Sequence, residues 1–533
     1  GDRERTPYEA DRYIHQLSSY GVVNDFTMPR CSFEYLTKHL TWPTEWPMHM
    51  VFIAWADYQQ TGDPYLITKY YGFLTNQFRM NYARSDGLIA GININSSGDR
   101  DIVDWPASDR DGYVWESYDA ELNAFYYRCL TIMAQAAMVT GHTSDATNFT
   151  AMASQVYGSY DAAFWSTSSQ CYIDGVGTTH TSVHGNFFPL AFGLVPTNKQ
   201  PSVVRYLNNR VTTNGMVPSV YGAQYMVEGL FQAGDTDEAL MLMATNSSRS
   251  WMNMINIGST ITAEAWSVAD KSNEDWNHAW GAAPGNLIPR YVLGLRPLEA
   301  GYGKVLIQPQ LGQILSYAQG TIPTIRGPVS ILATNAAGQF QLLLNIPGNV
   351  TAAVILPATN ATAMVDGATV SGTLSTDALS NNWLTVTNIG SGQHAIWISP
   401  TSSPTIATLY NNWASSWFGT NASNPAIAGQ DADPDGDGVS NYNEFIAGTN
   451  PLNAADYLQI TGTSYFPGSV MAITVNGHVG RQYSLQQTSS LSPASWTVVD
   501  TQAVSADNQT IVLHDSNLSG SRQMFLRVAV NYP

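Results

Sequence analysis

Leu122, Tyr126, Cys129, Leu130, Met133, Ala134 and Ala137 lead into Thr140-Gly141-His142-Thr143-Ser144, after which Phe149, Met152, Val156, Tyr157 and Tyr160 resume the same spacing. Apolar side chains three and four apart share one face of a helix. Gly141 stands where the first helix ends and Ser144 where the second is capped, so the stretch reads as two facing helices joined by a tight turn. The same punctuation recurs at Thr61-Gly62-Asp63-Pro64 and at Ala233-Gly234-Asp235-Thr236-Asp237. Residues 1–298 therefore read as repeated helical hairpins. Between the hairpins, Trp42 to Pro47, Asp99 to Tyr118 and His180 to Pro196 are aromatic, Gly/Pro-rich connections longer than ordinary interhelical loops. Such loops at one end of a rigid helical ring are where function is expected.

Beyond Pro297 the period changes. Short alternating runs at Val305 to Gln308, Phe340 to Asn345, Ala353 to Leu356 and Ala395 to Ile398 predict an antiparallel β-sandwich over 299–400, and the helical pattern does not return. Ser399 to Thr405 reads as the start of a linker that carries an acidic segment through residue 457, and 458–533 predict a small terminal β-domain. A chain of 533 residues is long enough for several such cores.

Charge narrows the partners. A formal net charge of −18 disfavours nucleic acid and anionic membrane surfaces and suits a neutral substrate. No apolar run approaches the roughly 20 residues of a membrane span. Cys31, Cys129 and Cys171 lack metal-type spacing and read as buried thiols. Few lysines and many Ser, Thr, Asn and Gly lean toward an exported protein, secreted, periplasmic or on the cell surface. The abrupt start at Gly1-Asp2-Arg3-Glu4-Arg5, without initiator Met or leader-like run, reads as the downstream part of a longer precursor.

Two carboxylates carry the chemical reading. Glu4, between Arg3 and Arg5 with Tyr8 and Asp11 following, would alone be an exposed, salt-bridged helical turn. Glu264 is different: it sits in Gly258-Ser259-Thr260-Ile261-Thr262-Ala263-Glu264-Ala265-Trp266, a neutral setting that no solvated face explains. Trp276-Asn277-His278-Ala279-Trp280 follows, an aromatic cluster around a histidine. Aromatics with a carboxylate describe a sugar pocket. Glycoside hydrolysis needs one carboxyl to protonate the leaving oxygen and a second, ionised, to serve as nucleophile or to activate water.

These stretches resemble the α-L-rhamnosidases of glycoside hydrolase family 78. The run Asp2-Arg3-Glu4-Arg5 with Glu9-Ala10-Asp11 resembles that family's acidic signature, and Ala263-Glu264-Ala265-Trp266 with Asn277 to Gly281 its second. Asp104-Trp105 is similar to its Asp-Trp loop, and His184-Gly185 to Leu194-Val195-Pro196 to its Phe-Gly-Leu-Val-Pro helix. The resemblance implies an (α/α)6 toroid followed by β-sandwich domains, an inverting mechanism without a catalytic cofactor, and a rhamnose-containing glycoside or polysaccharide as substrate. It implies Glu4 as general acid, Glu264 as general base, Arg3, Asp11 and Asp104 as hydroxyl-binding groups, and Tyr8, Trp105, Trp115, Trp266 and His278 as pocket walls. Inversion places such carboxyls roughly 6.5 to 9.5 Å apart. An (α/α)6 glycosidase or lyase for another sugar, and a non-catalytic carbohydrate-binding surface protein, stand as alternatives.

Separately, Asp433, Asp435, Asp437, Val439, Asn441 and Glu444 occupy positions 1, 3, 5, 7, 9 and 12 of a loop with Gly438 at position 6, the pattern of a calcium loop. With Gly448-Thr449-Asn450-Pro451 behind it, the segment resembles thrombospondin type 3-like calcium repeats, which implies a structural Ca2+.

Overall fold

The computed structural model describes residues 6–43, 45–92, 100–336, 339–398, 406–466, 470–478, 481–492, 494–504, 509–516 and 524–531. The chain divides into two compact units, 1–335 with 340–399, and 336–339 with 400–533.

The first unit opens with a six-hairpin (α/α)6 toroid followed by a β-sandwich. Its helices are α1 (Glu9–Val22), α2 (Thr27–Leu36), α3 (His49–Thr61), α4 (Tyr65–Lys69), α5 (Tyr71–Thr75), α6 (Ala120–Val139), α7 (Thr143–Phe164), α8 (His184–Ala191), α9 (Gln200–Asn214), α10 (Val220–Ala233), α11 (Thr236–Ala244), α12 (Trp251–Asn256) and α13 (Pro284–Leu287). The turn glycines act as read. Gly62 and Gly234 cap α3 and α10 in the left-handed region, at φ 72° and 92°.

Burial separates the helices by role. All eight residues of α8 are buried, as are nearly all of α10, so these line the centre of the ring. In α7 only Ala146, Phe149, Ala153, Val156, Tyr160 and Phe164 are buried, one stripe against α6. Phe52, Phe125, Phe188, Phe192 and Tyr225 pack together at the centre with ring centroids 5.0 to 6.0 Å apart. Each such side chain contributes about 2 to 3 kcal/mol by burial. His49 stands among them, its Nδ1 3.1 Å from the Trp46 carbonyl and its Nε2 3.0 Å from the Tyr225 hydroxyl. Burial pushes this imidazole down to about 3, so it is neutral, with Nδ1–H donating and Nε2 accepting.

The ring closes on itself. Ser18 Oγ of α1 donates to the Ala282 carbonyl at 2.6 Å, and Asn286 Nδ2 of α13 donates to Ser18 Oγ at 3.3 Å. Gly21 allows this approach, because a Cβ there would meet the Gly285 carbonyl oxygen at 2.4 Å.

Two sheets follow. The five-stranded sheet runs Thr373–Thr376, Asn382–Ile389, Thr351–Pro357, Lys304–Ile307 and Leu295–Pro297 in spatial order; the six-stranded one runs Ala368–Ser371, Thr362–Val365, Gly392–Trp397, Gln339–Ile346, Val329–Ala336 and Tyr317–Ile322. Neighbours are antiparallel except Lys304–Ile307 with Thr351–Pro357. Phe340, Leu342, Leu344 and Ile346 alternate inward, the period-two burial expected of a sandwich.

The second unit departs from the sequence reading, because helices do return. Ile406–Phe418, Pro425–Ala428 and Asn441–Ala447 gather Tyr410, Ala414, Phe418, Ala428 and Phe445 into a small core, so a folded helical segment replaces much of the expected linker. Two three-stranded antiparallel sheets then enclose Val475, Tyr483, Leu485 and Leu513. A second correction concerns the thiols: Cys129 and Cys171 are buried, whereas Cys31 is exposed on α2. Among the described residues, no helix is long and apolar enough to cross a membrane.

Candidate active site

The segment around Glu264 folds back on itself. The amide of Glu264 donates to the Asp275 carbonyl at 2.9 Å and that of His278 to the Thr262 carbonyl at 2.9 Å, while Thr262 Oγ1 donates to the His278 carbonyl at 3.1 Å. This pairing fixes the Glu264 side chain in a buried position, 2% exposed. Its Oε2 accepts from Lys271 Nζ at 2.9 Å and from the Asp275 amide at 3.0 Å, and its backbone carbonyl accepts from Trp280 Nε1 at 2.8 Å. A buried carboxylate is stable only when a cation and hydrogen bonds replace its water, and Lys271 with the Asp275 amide supplies both. Glu274 lies near; burial, with the Glu264 charge adding, pushes its carboxyl up to about 7.

The first turn of α1 meets this segment. His278 Nε2 lies 3.2 Å from Asp11 Oδ1, and the His278 ring packs 4.6 Å from that of Trp280. Tyr8 is the N-cap residue of α1, half-buried, so it and Asp11 stand at the same helix end. Glu9 anchors that end from behind, its carboxylate accepting from the Thr41 amide at 2.9 Å and from the Thr41 hydroxyl. Arg3 and Glu4 lie outside the described residues.

The Asp-Trp loop is held from three sides. Glu45 is fully buried and accepts from the amides of Ile102 at 2.9 Å and Val103 at 2.7 Å. Val103 has φ 63°, a conformation costly for a β-branched residue, and the Glu45 carboxylate holds it there. Arg110 Nε donates to the carbonyls of Ile102 and Asp104, both at 2.8 Å, and Trp115 Nε1 donates to the Asp101 carbonyl at 3.0 Å. Arg100 and Arg110 lie 3.7 and 5.1 Å from the centre of the half-buried Trp115 ring. At the crest Trp105 is 42% exposed, available to stack on a ligand.

Two expected ligand-binding residues turn out to be internal. Asp104 is wholly buried: its Oδ2 is 2.6 Å from His184 Nε2 and accepts from the Ser219 amide at 3.0 Å, while Oδ1 accepts from the Trp105 amide and the Ser219 hydroxyl. With both oxygens engaged, it anchors the loop and does not offer a carboxylate to a sugar hydroxyl. Trp266 is 1% exposed, donates from Nε1 to the Pro218 carbonyl at 2.8 Å and packs edge-on against Trp251, so it supports the Glu264 loop and forms no pocket wall.

Both corrections converge on one place. Pro218-Ser219, immediately before α10, receives Asp104 and Trp266 together, and Ser219 Oγ caps α10 by accepting from the amides of Tyr221 and Gly222. Arg249 braces the same strip, donating to the carbonyls of Met216, Val217 and Pro218 at 2.6, 3.0 and 3.2 Å. The start of α10 is therefore the shared footing of the Asp-Trp loop and the Glu264 loop. Sequence reasoning missed Lys271, Glu45 and Arg249. Lys271 had a signal, being the single Lys or Arg between Arg249 and Arg290; Glu45 and Arg249 had none, since the amides that Glu45 binds, and the carbonyls and the Asp109 and Asp270 carboxylates that Arg249 binds, are distant in sequence.

Comparison with known proteins agrees with this architecture. Residues 4–292 match the model of the bacterial alpha-L-rhamnosidase 6 hairpin glycosidase domain, and residues 294–371 that of the bacterial alpha-L-rhamnosidase C-terminal domain. An alpha-L-rhamnosidase of Alteromonas sp. (strain LOR) is 25% identical over 339 residues, 60% of this chain and 35% of that protein. One from Formosa agariphila is 23% identical over 327 residues, 59% of this chain and 34% of that protein. The chain thus spans about a third of the length of the curated relatives it matches. Among solved structures, the alpha-L-rhamnosidase from Dictyoglumus thermophilum superposes with a TM-score of 0.60 at 19% identity, covering 74% of this chain and 46% of that one. The Streptomyces avermitilis enzyme complexed with L-rhamnose gives the same TM-score and identity over 74% of this chain and 38% of its own.

Proposed function

The chain belongs to the bacterial alpha-L-rhamnosidase six-hairpin glycosidases, and on that premise we propose that it releases terminal α-L-rhamnose from a glycoside or polysaccharide by single displacement with inversion. Glu264 is the general base: it takes a proton from the water that attacks the anomeric carbon. Glu4, outside the described residues, is the general acid that protonates the departing oxygen, so one proton is taken up and one delivered per bond cleaved. Asp11 and His278, with Arg3, bind sugar hydroxyls; Tyr8, Trp105 and Trp115 offer flat faces. Asp104 and Trp266 position these groups from behind.

The observation that carries this reading is the setting of Glu264, a buried carboxylate held through Oε2 by Lys271 and an amide, on a loop joined to Asp11 through His278. The test is hydrolysis of aryl α-L-rhamnosides by the intact protein, followed by NMR of the first-formed sugar. β-L-Rhamnose is expected, with kcat lowered about 10²- to 10⁴-fold in Glu264→Gln. Undiminished turnover in that variant, or an α-anomer formed first, overturns the proposal.

The same proposal extends to the second unit. Asp433, Asp435 and Asp437 bring oxygens within 4.8 Å of one another, and Glu444, wholly buried, leaves Oε2 without a hydrogen-bond partner. Burial together with Asp435 and Asp437 pushes the Glu444 carboxyl up to about 8, the response of an acidic group lacking a counter-charge. This donor set fits Ca2+, with the Val439 carbonyl and Asn441 completing it, in the manner of a thrombospondin type 3-like repeat. The ion supplies charge neutralisation and rigidity, no catalytic chemistry. Export from a bacterial cell completes the reading, and fractionation of the source cells tests it: recovery of the protein only from cytosol overturns that part.

A further inference from the structure

In the first unit, apart from the residues assigned to catalysis, the described residues line a half-open cavity of about 270 Å³. It lies along the later turns of α1, where Tyr13 and Tyr20 face it, and is bordered by α3, α6 and the strand Leu295–Pro297 that begins the sandwich. None of Tyr8, Asp11, Glu264 or His278 lines it.

Its charge runs against that of the protein. Three arginines, Arg128, Arg290 and Arg296, line the cavity and no Asp or Glu does, in a chain of net charge −18. Arg290 is neutralised from outside the lining, 2.5 Å from Glu228 Oε1. The other two are not. No carboxylate among the described residues pairs with Arg128, and Arg296 spends one nitrogen on the neutral Gln308 Oε1 at 2.6 Å while its buried Nε finds no acceptor. Arg290 and Arg296 lie 5.1 and 5.0 Å from the centre of one ring, Tyr291, so two like charges are gathered with a single counter-charge.

The neutral groups add donors as well. Gln60 accepts through Oε1 from Tyr302 at 3.0 Å, leaving its buried Nε2 on the cavity wall without an acceptor. Burial lifts the Tyr13 phenol to about 12, so it keeps its proton. Unsatisfied buried donors are unfavourable by about 1 to 3 kcal/mol each, more when charged. Water can accept from them yet leaves the arginine charges in place. An anion answers both needs.

The remaining wall is apolar and aromatic, including Phe52, Trp55 and Tyr302. The volume lies just below the roughly 300 Å³ at which small-molecule sites begin. A bare inorganic anion fills little of it, whereas a single ring bearing a carboxylate fills it and satisfies both surfaces. We propose that this cavity is a second ligand site, separate from the catalytic one, which binds a small organic carboxylate with a ring body through Arg128 and Arg296.

Isothermal titration of the full chain with benzoate, glucuronate, L-rhamnose and inorganic phosphate tests it. One equivalent of benzoate or glucuronate is expected to bind, at least tenfold more tightly than phosphate. Arg128→Gln and Arg296→Gln are each expected to weaken that binding about tenfold or more, the scale of one lost charge-assisted hydrogen bond. Glu264→Gln is expected to leave it unchanged. Arg128 is half-buried and unpaired among the described residues, so its substitution decides the matter even if Arg296→Gln fails to fold. Absence of binding by both carboxylates, binding untouched by Arg128→Gln, loss in Glu264→Gln, or phosphate binding as tightly as either carboxylate overturns the proposal.

Discussion

His278 Nε2 lies 3.2 Å from Asp11 Oδ1, a contact that fastens the first helix of the toroid to the loop carrying Glu264. Both side chains are largely buried, so neither can drift without the other. Removing either partner is expected to lower kcat/KM for an aryl rhamnoside by about ten- to a hundredfold. The pair acts as a unit, so Asp11→Asn with His278→Gln should be little worse than the poorer single variant. Steady-state kinetics of the double-mutant cycle check this, and additive losses would contradict it.

Lys271 and Glu264 are both nearly inaccessible, with side chains 8% and 3% exposed. Lys271→Met should therefore leave a buried carboxylate without its cation and reduce stability by about 3 to 5 kcal/mol. Glu264→Gln in that background should recover much of the lost stability, with turnover no higher than in Glu264→Gln alone. Thermal denaturation of the two single variants and the double variant gives the comparison.

How far the sequence foretold this arrangement depends on range. The hairpin turns at Gly62, Gly141 and Gly234 were legible because cap and helix are neighbours in the chain, and each glycine takes a positive φ. Glu264 was legible because no solvated face explains it. The burial of Asp104 and Trp266 was not legible, since their partners, His184, Ser219 and Pro218, belong to other elements and leave no local mark. The helices of 406–447 were missed because the Ser/Pro/Thr stretch before them and the acidic run from Asp431 drew the whole segment toward a linker reading, although Tyr410, Ala414 and Phe418 recur four apart with no Asp or Glu among them.

Glu45 gives stability a pH dependence. Burial and the nearby Asp101 push its carboxyl up to about 7 from an ordinary 4.5, so the folded protein keeps a proton that the unfolded chain has released. Between those values the unfolded state binds fewer protons, and stability falls as pH rises from about 4.5 through 7. Each unit of pKa difference is worth about 1.4 kcal/mol. Glu121, fully buried with both oxygens unpartnered, acts in the same direction. Melting temperatures taken from pH 5 to 7.5 should decline less in Glu45→Gln than in the parent.

Gly222 stands against the anchored carboxylate of the Asp-Trp loop. A Cβ there would lie 2.6 Å from Asp104 Oδ2 and 2.8 Å from Pro218 Cβ, and Asp104 is wholly buried and cannot retreat. Gly222→Ala should destabilise by about 1 to 3 kcal/mol and, by displacing Trp105, raise KM more than it lowers kcat. Calorimetry paired with kinetics separates the two effects.

Calcium removal should act on the second unit alone. Chelation is expected to lower the melting temperature of a transition assigned to residues 400–533, and Asp437→Ala to abolish its calcium dependence. Rhamnoside turnover should be unchanged by the chelator.

The join between Ser18, Gly21, Ala282 and Asn286 has a consequence for how the protein comes into being. α1 is made before the rest of the ring, and the residues that cover it, Ala282 to Asn286, emerge only after the ring has been synthesised. At roughly 5 to 20 residues per second, the face bearing Ala10 and Ile14 waits on the order of tens of seconds for its cover. Through that interval the apolar face of the first helix lacks its partner and the two ends of the site have not met. A site assembled from both ends of the ring therefore exists only once the last part of the ring has been synthesised and its seam has shut.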